Sequence, residues 1–289
     1  MIMTRWAPLA LLVACTQADL EEDGAPVEPP SDVRAGVGFE DYDDLQIAEA
    51  IYYGRAATGA QHGAVVSLHY LSGPYVYQDP FCSGTLITRD VVMTAAHCLD
   101  VARRAATNFS EMRPSELAIY VGSDPYADIL SHLYTVRRLD IQPSYKRKLN
   151  RNDIALIELS QPITENVSPV PNLPTNLGWT NQDIGDSFNI AGFGYTQRGT
   201  FGTKLQTDVP LLGFGCASRY CPVAGYPASQ VTYSQSNGGP CSGDSGGPLF
   251  VNRGGSWYVG GVTSYGDYGC QYYGVSTRVD AFQSWIDAW

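Results

Sequence analysis

Basic residues are scarce in this chain: 18 Lys and Arg stand against 29 Asp and Glu, for a formal net charge of −11. No basic block is long enough to track a phosphate backbone, which argues against nucleic acid as a partner. Long apolar runs are missing too. The stretch WAPLALLVA, at 6–14, has nine residues, about half of what a membrane-spanning helix requires. No internal repeat and no coiled-coil heptad is evident. The acidity is also unevenly placed. Residues 16–50 hold eleven Asp and Glu against the single basic residue Arg34, whereas 51–289 carry only −2. The negative charge therefore belongs to one segment and says little about what the rest of the chain binds.

What the N-terminal region does have is the pattern of an export signal. Arg5 opens it, the short apolar run follows, and LLVAC closes it. Leu12, Val13 and Ala14 before Cys15 resemble a bacterial lipoprotein box, in which the cysteine is lipidated and becomes the new N-terminus. The competing reading is an ordinary cleaved signal with a cysteine nearby. Cysteine counting favours the lipid. The chain has seven cysteines, at 15, 82, 98, 216, 221, 241 and 270. An odd number in an exported protein needs an explanation. With Cys15 set aside, six remain for three disulfides in an oxidising compartment; counting alone does not choose among their connectivities. Residues 1–15 are thus expected to be a lipoprotein-type signal peptide. Residues 16–50, acidic and Pro-rich with few large apolar side chains, are expected to be a tether or propeptide. The expected location is the bacterial cell envelope, through a lipid on Cys15, or the extracellular space after processing.

From Ile51 the texture changes. Short apolar runs such as GAVVSLHYL, DVVMTAA, LYTVRRLDI, DIALIELS, FNIAGFG, VPLLGF and WYVGGVTSYG recur between turn signals. They are rich in Val, Ile, Tyr and Thr, and most are as short as strands, which predicts an all-β sandwich or barrel. The C-terminal DAFQSWIDAW differs. Phe282, Trp285, Ile286 and Trp289 are spaced by three and four, which predicts a terminal amphipathic helix with Asp280 as its N-cap.

Three motifs carry the chemistry. TAAHC supplies His97, RNDIALIEL supplies Asp153 at the head of an apolar strand, and GGPCSGDSGGPLF supplies Ser245. A serine hydroxyl is a weak nucleophile until a base takes its proton. Histidine suits that role because its ordinary pKa lies near neutrality, and a buried aspartate fixes its tautomer. The order His, Asp, Ser is the one found in chymotrypsin. With TSYG and GVSTRV following, residues 51–289 resemble the trypsin/chymotrypsin family of serine proteases. The remaining histidines, 62, 69 and 132, lie in no motif and read as structural or surface residues.

The resemblance implies two six-stranded antiparallel Greek-key barrels with the active site between them and a C-terminal α-helix. It implies an oxyanion hole at the amides of Gly243 and Ser245, and disulfides Cys82–Cys98, Cys241–Cys270 and Cys216–Cys221. The last pairing departs from the longer bridge of animal relatives. It implies an activation cut before Ile51, whose new ammonium would pair with Asp244; Tyr53 stands where the family usually has glycine. At the position where trypsin-like members carry a selecting aspartate, this chain has Gly239, followed by Pro240. With Ser264, Gly266 and Gly274 these would form a specificity pocket for a large uncharged side chain, Phe, Tyr or Leu before Arg or Lys. Ser264 and Tyr265 are expected to support Asp153, and Asp267 to point to solvent. The implied reaction is hydrolysis of protein or peptide substrates by a monomer through an acyl-enzyme. It uses no metal or cofactor, and no carboxylate loop suited to calcium is evident. Two other readings are a catalytically silent binding or adhesion module on the same scaffold and an esterase.

Overall fold

The structure is a computed structural model that describes residues 26–27, 51–100, 111–221 and 225–289. The signal, the lipid site Cys15 and nearly all of the 16–50 segment lie outside the described residues. Twelve strands dominate. The first six are β1 (Val65–Ser72), β2 (Cys82–Leu86), β3 (Val91–Thr94), β4 (Leu117–Tyr120), β5 (Leu133–Ile141) and β6 (Ala155–Leu159). They pair antiparallel in the order β1-β2-β3-β6-β5-β4, and β4 closes back on β1. The second six are β7 (Ser187–Gly192), β8 (Leu205–Phe214), β9 (Gln230–Ser234), β10 (Pro248–Arg253), β11 (Ser256–Gly266) and β12 (Tyr273–Arg278). Their order is β7-β10-β11-β12-β9-β8, closed by β7 on β8. Each set is therefore a sealed six-stranded barrel with no free edge among its strands. These are the two Greek-key barrels of the chymotrypsin-like fold.

The pairing graph of the two barrels is the same. In each, strands one to three and four to six form meanders, joined by pairings of first with fourth and third with sixth. Burial follows the side-chain alternation of a pleated strand. In β8, Val209 and Leu211 point inward while Asp208 and Leu212 are exposed. The first core holds Leu68, Leu86, Val92, Ile119, Leu156 and Ile157, and continues through the seam between barrels to Phe250, Val259 and Val262. The second holds Phe188, Ile190, Leu205, Val231, Tyr233 and Leu249, with Ile51 fully buried among them. At about 25 cal/mol per Å² of apolar surface removed from water, these cores supply most of the drive to fold.

The C-terminal segment begins with a tight turn, Asp280–Phe282, and continues as a helix only at Gln283–Asp287. Phe282, Trp285, Ile286 and Trp289 pack on the first core as their spacing predicts. Asp280 is not the N-cap. Its carboxylate is buried, paired with Arg278 at 2.6 Å, and accepts the amide of Trp179 at 3.2 Å. A charged partner and a backbone donor there outweigh what a five-residue helix end offers.

Candidate active site

His97 sits on α1 (Ala96–Leu99), a single helical turn that follows β3. The Cys82–Cys98 disulfide clips this turn to β2. Asp153 precedes β6, directly after Asn152, whose backbone is left-handed at φ 56°. Asparagine tolerates that region better than most residues, and its amide nitrogen is tied to Ser144 Oγ at 2.7 Å. The turn so fixed delivers Asp153 to His97. His97 Nδ1 donates to Asp153 Oδ2 at 2.7 Å, and the His97 amide donates to Oδ1 at 2.8 Å. Asp153 is fully buried, while the imidazole is 30% exposed.

A third donor comes from the second barrel. The ladder between β11 and β12 slips between Thr263 and Tyr265, so Ser264 is the extra residue of a β-bulge. The bulge re-aims its hydroxyl, which donates to Asp153 Oδ2 at 2.5 Å. Burial alone would push the Asp153 carboxyl up. The charge of His97 and the bonds from its ring, from Ser264 and from the His97 amide outweigh this and hold it below the usual range. For His97, burial opposes the charged ring, but Asp153 first and then Asp100 prevail and hold it above its ordinary value. Tyr265, expected to assist, instead turns its hydroxyl toward Gln230 at 3.5 Å.

Ser245 is half-buried on the loop between β9 and β10. Its carbonyl accepts the amide of Ser83, on β2, at 2.8 Å. Ser83 Oγ donates to the Gly243 carbonyl at 2.9 Å and accepts the Phe193 amide at 3.0 Å. One serine of the first barrel thus fastens the loop of the second; no sequence motif marks it. Two glycines make this approach feasible. Gly246 has φ 83°, and a Cβ there would lie 2.1 Å from Thr94 Oγ1 and 2.3 Å from the Ser83 carbonyl. Gly243 has φ 91°, and its Cβ would meet Gly194 Cα at 2.7 Å. L side chains are disfavoured at such angles. The loop is also tied to the β11–β12 turn by the disulfide Cys241–Cys270, and Cys216 is joined to Cys221.

A cavity beside Ser245 is lined by Ser242, Pro240, Ser264, Tyr265, Gly266 and Gln235, among others. Two of the expected pocket residues stand behind this surface. Gly239 backs onto the Gln235 side chain, and Gly274 onto the Tyr233 ring. Gln235 was not anticipated from sequence. Asp267 also lines the cavity rather than pointing to solvent, because its carboxylate accepts the amides of Tyr272 at 2.8 Å, Tyr273 at 2.9 Å and Gln271 at 3.1 Å.

Asp244 is fully buried. It accepts the Gly194 amide at 2.8 Å and the Cys241 amide at 2.9 Å. Among the described residues no cation pairs with it, and burial pushes its carboxyl up to about 7. Ile51 is buried with φ 63°, and Tyr52 exchanges backbone bonds of 2.9 and 3.1 Å with Gly239. Among the described residues the atoms of Cys82, His97 and Cys98 cluster within 4.8 Å; with both sulfurs in a disulfide, the group lacks the thiolates a metal would bind. His62 and His69 are buried, and burial pushes His69 down to about 4.

Comparison with known proteins places this arrangement. The family model described as Trypsin matches residues 51–286. A vitellin-degrading protease of Bombyx mori is 28% identical over 273 residues, covering 91% of this chain and 88% of the relative. Vitamin K-dependent protein C of Rattus norvegicus is 29% identical over 221 residues, or 72% of this chain, which spans about half (46%) of that longer relative. With the family match running across both barrels and through all three motifs, the chain belongs to the trypsin family of serine proteases.

Proposed function

We propose that the chain is an endopeptidase in which Ser245 attacks a peptide carbonyl, His97 carries the proton from the hydroxyl to the leaving amine, and Asp153 orients and stabilises the imidazolium. The observation that carries this is the bonding of Asp153: three donors hold one buried carboxylate against His97, a cost that a merely structural residue has little reason to bear. The amides of Gly243 and Ser245 serve as the oxyanion donors, each worth about 10² to 10³ in kcat. The substrate's side chain enters the cavity beside Ser245. Asp267 is the one acid among the described residues that line it, it is oriented by three backbone amides, and Gly239 stands where a selecting aspartate would, so large uncharged side chains are favoured over Arg and Lys.

Activation by cleavage before Ile51 is part of this reading. A β-branched residue at φ 63° is costly, and that torsion is constrained only while residue 50 is attached. Cleavage removes the constraint and creates an ammonium for the unpaired Asp244. The N-terminal region is read as an export signal with a lipid on Cys15, so that cleavage would release the domain from its tether. Incubation of the processed protein with an unfolded protein substrate tests the whole reading. Internal cleavage that is lost in Ser245→Ala supports it; intact substrate, or cleavage that survives in Ser245→Ala, overturns it.

A further inference from the structure

Gln235 is 2% exposed and lies against the cavity beside Ser245. Its amide fills the space left by two glycines. A Cβ on Gly239 would fall 2.4 Å from Gln235 Cγ and 2.6 Å from Nε2, and a Cβ on Gly266 would fall 3.1 Å from Oε1. Neither position could hold a larger residue without displacing it. The orientation of the amide is set by its neighbours. Nε2 donates to the Pro240 carbonyl at 2.6 Å and reaches the Cys270 carbonyl at 3.5 Å. The reversed amide would set oxygen against oxygen at the shorter of these distances. Oε1 is therefore directed to the Gly266 side, and among the described residues no group donates to it.

A buried acceptor without a donor is destabilising. Oε1 itself is closed off from solvent, but its side chain lines the cavity that the proposed function assigns to the substrate side chain, so a bound side chain that carries its own donor and shifts the amide to meet it would relieve the cost. We propose that Gln235 Oε1 is a specificity-determining acceptor for the residue before the cleaved bond, and that it selects a neutral side chain ending in a hydrogen-bond donor: tyrosine over phenylalanine. The neutral carbonyl adds no charge to meet a lysine or arginine, so a cation beside it gains one bond against its desolvation, and Asp267, the acid among the described lining residues, is held by three backbone amides. Leucine and phenylalanine fill space but leave Oε1 unpaired. The inference rests on the protease reading and on that cavity being the substrate pocket.

The test is a series of otherwise identical peptides with Tyr, Phe or 4-methoxyphenylalanine before the cleaved bond, the last keeping the oxygen but lacking the donor. Active sites are counted with a fluorophosphonate, so that only folded, competent enzyme enters the rates. The expected result is kcat/KM at least about tenfold higher for Tyr than for both others, with the preference reduced to near unity in Gln235→Met. Gln235→Glu, which puts a carboxylate in the same place, is expected to gain turnover of Lys and Arg peptides relative to Phe. Equal rates for the three peptides in the unmodified enzyme overturn the proposal, whether or not either variant folds. A Tyr preference that persists in Gln235→Met overturns it as well. Failure of the fluorophosphonate to label Ser245 would instead count against the protease reading, which separates the two.

Discussion

At the scale of single residues, the chemistry depends on how three donors hold Asp153. Its carboxylate raises His97, and in the proposed mechanism His97 must be neutral to accept the serine proton. Activity should therefore fall as pH drops through a His97 value above the ordinary 6.5. In Asp153→Asn the opposing effect of burial remains while the raising effect is gone. The acid limb of the kcat/KM profile is expected to move to lower pH, and kcat to fall by about 10⁴ as the tautomer is lost. An unshifted acid limb would show that the ring does not respond to Asp153. The pairing of His97 with Asp153 was legible in sequence because each is embedded in a short, distinctive motif, as is Ser245, the proposed nucleophile. Ser264's support of Asp153 was legible through the resemblance and is met by its 2.5 Å bond; Ser83 and Gln235 were not, because each acts across a distance that only the folded register creates. Gln235 takes the space in front of Gly239, and Tyr233 the space in front of Gly274, which the two glycines alone could not reveal.

At the scale of elements, the site depends on places where regular structure is interrupted. The bulge at Ser264, the left-handed Asn152 and the glycine turn at 243–247 each break a ladder or a turn to aim a group. Gly246 tests this most simply. Gly246→Ala adds one carbon at φ 83°, within 2.1 Å of Thr94 Oγ1. It should lower Tm clearly, by a mechanism that combines backbone strain and overlap, and lower kcat more than it raises KM, because the loop that moves carries the nucleophile. Unchanged Tm and kcat would mean that the loop does not sit against β2 and β3 as described. The strands themselves were legible from short, β-branched runs. The terminal helix was legible from its apolar spacing, but its start was not: Asp280 has the composition of a cap and the partners of a buried ion pair.

At the scale of the whole molecule, two barrels with one pairing graph arise from a sequence without an evident repeat. Strand order is fixed by backbone pairing and by which faces are apolar, and many side-chain sets satisfy both. Barrel closure was thus legible only through the resemblance, not through periodicity. The barrels meet at the site, and the proposed activation would couple Asp244 to the chain's N-terminal side. In the uncleaved protein its carboxyl stands at about 7, against an ordinary 3.8. Between those values the folded state holds more protons than the unfolded one, so stability falls as pH rises from about 4 to about 7 and is level above that. Asp244→Asn should flatten this slope and raise the stability of the uncleaved form at pH 8 by on the order of a few kcal/mol. The same variant should leave the cleaved form inactive, since the new Ile51 ammonium would lack its partner. Denaturant unfolding across that pH window measures the first effect, and peptide turnover after processing the second. A pH-independent difference between the two proteins would contradict the burial of an unpaired carboxyl.

The most direct test of the central claim, that an activated serine lies in the seam between the barrels, is mass spectrometry of the processed protein after reaction with a fluorophosphonate. The account predicts one adduct, on Ser245, whose formation is slowed by orders of magnitude in His97→Ala. No adduct, or one on a different serine, would contradict it.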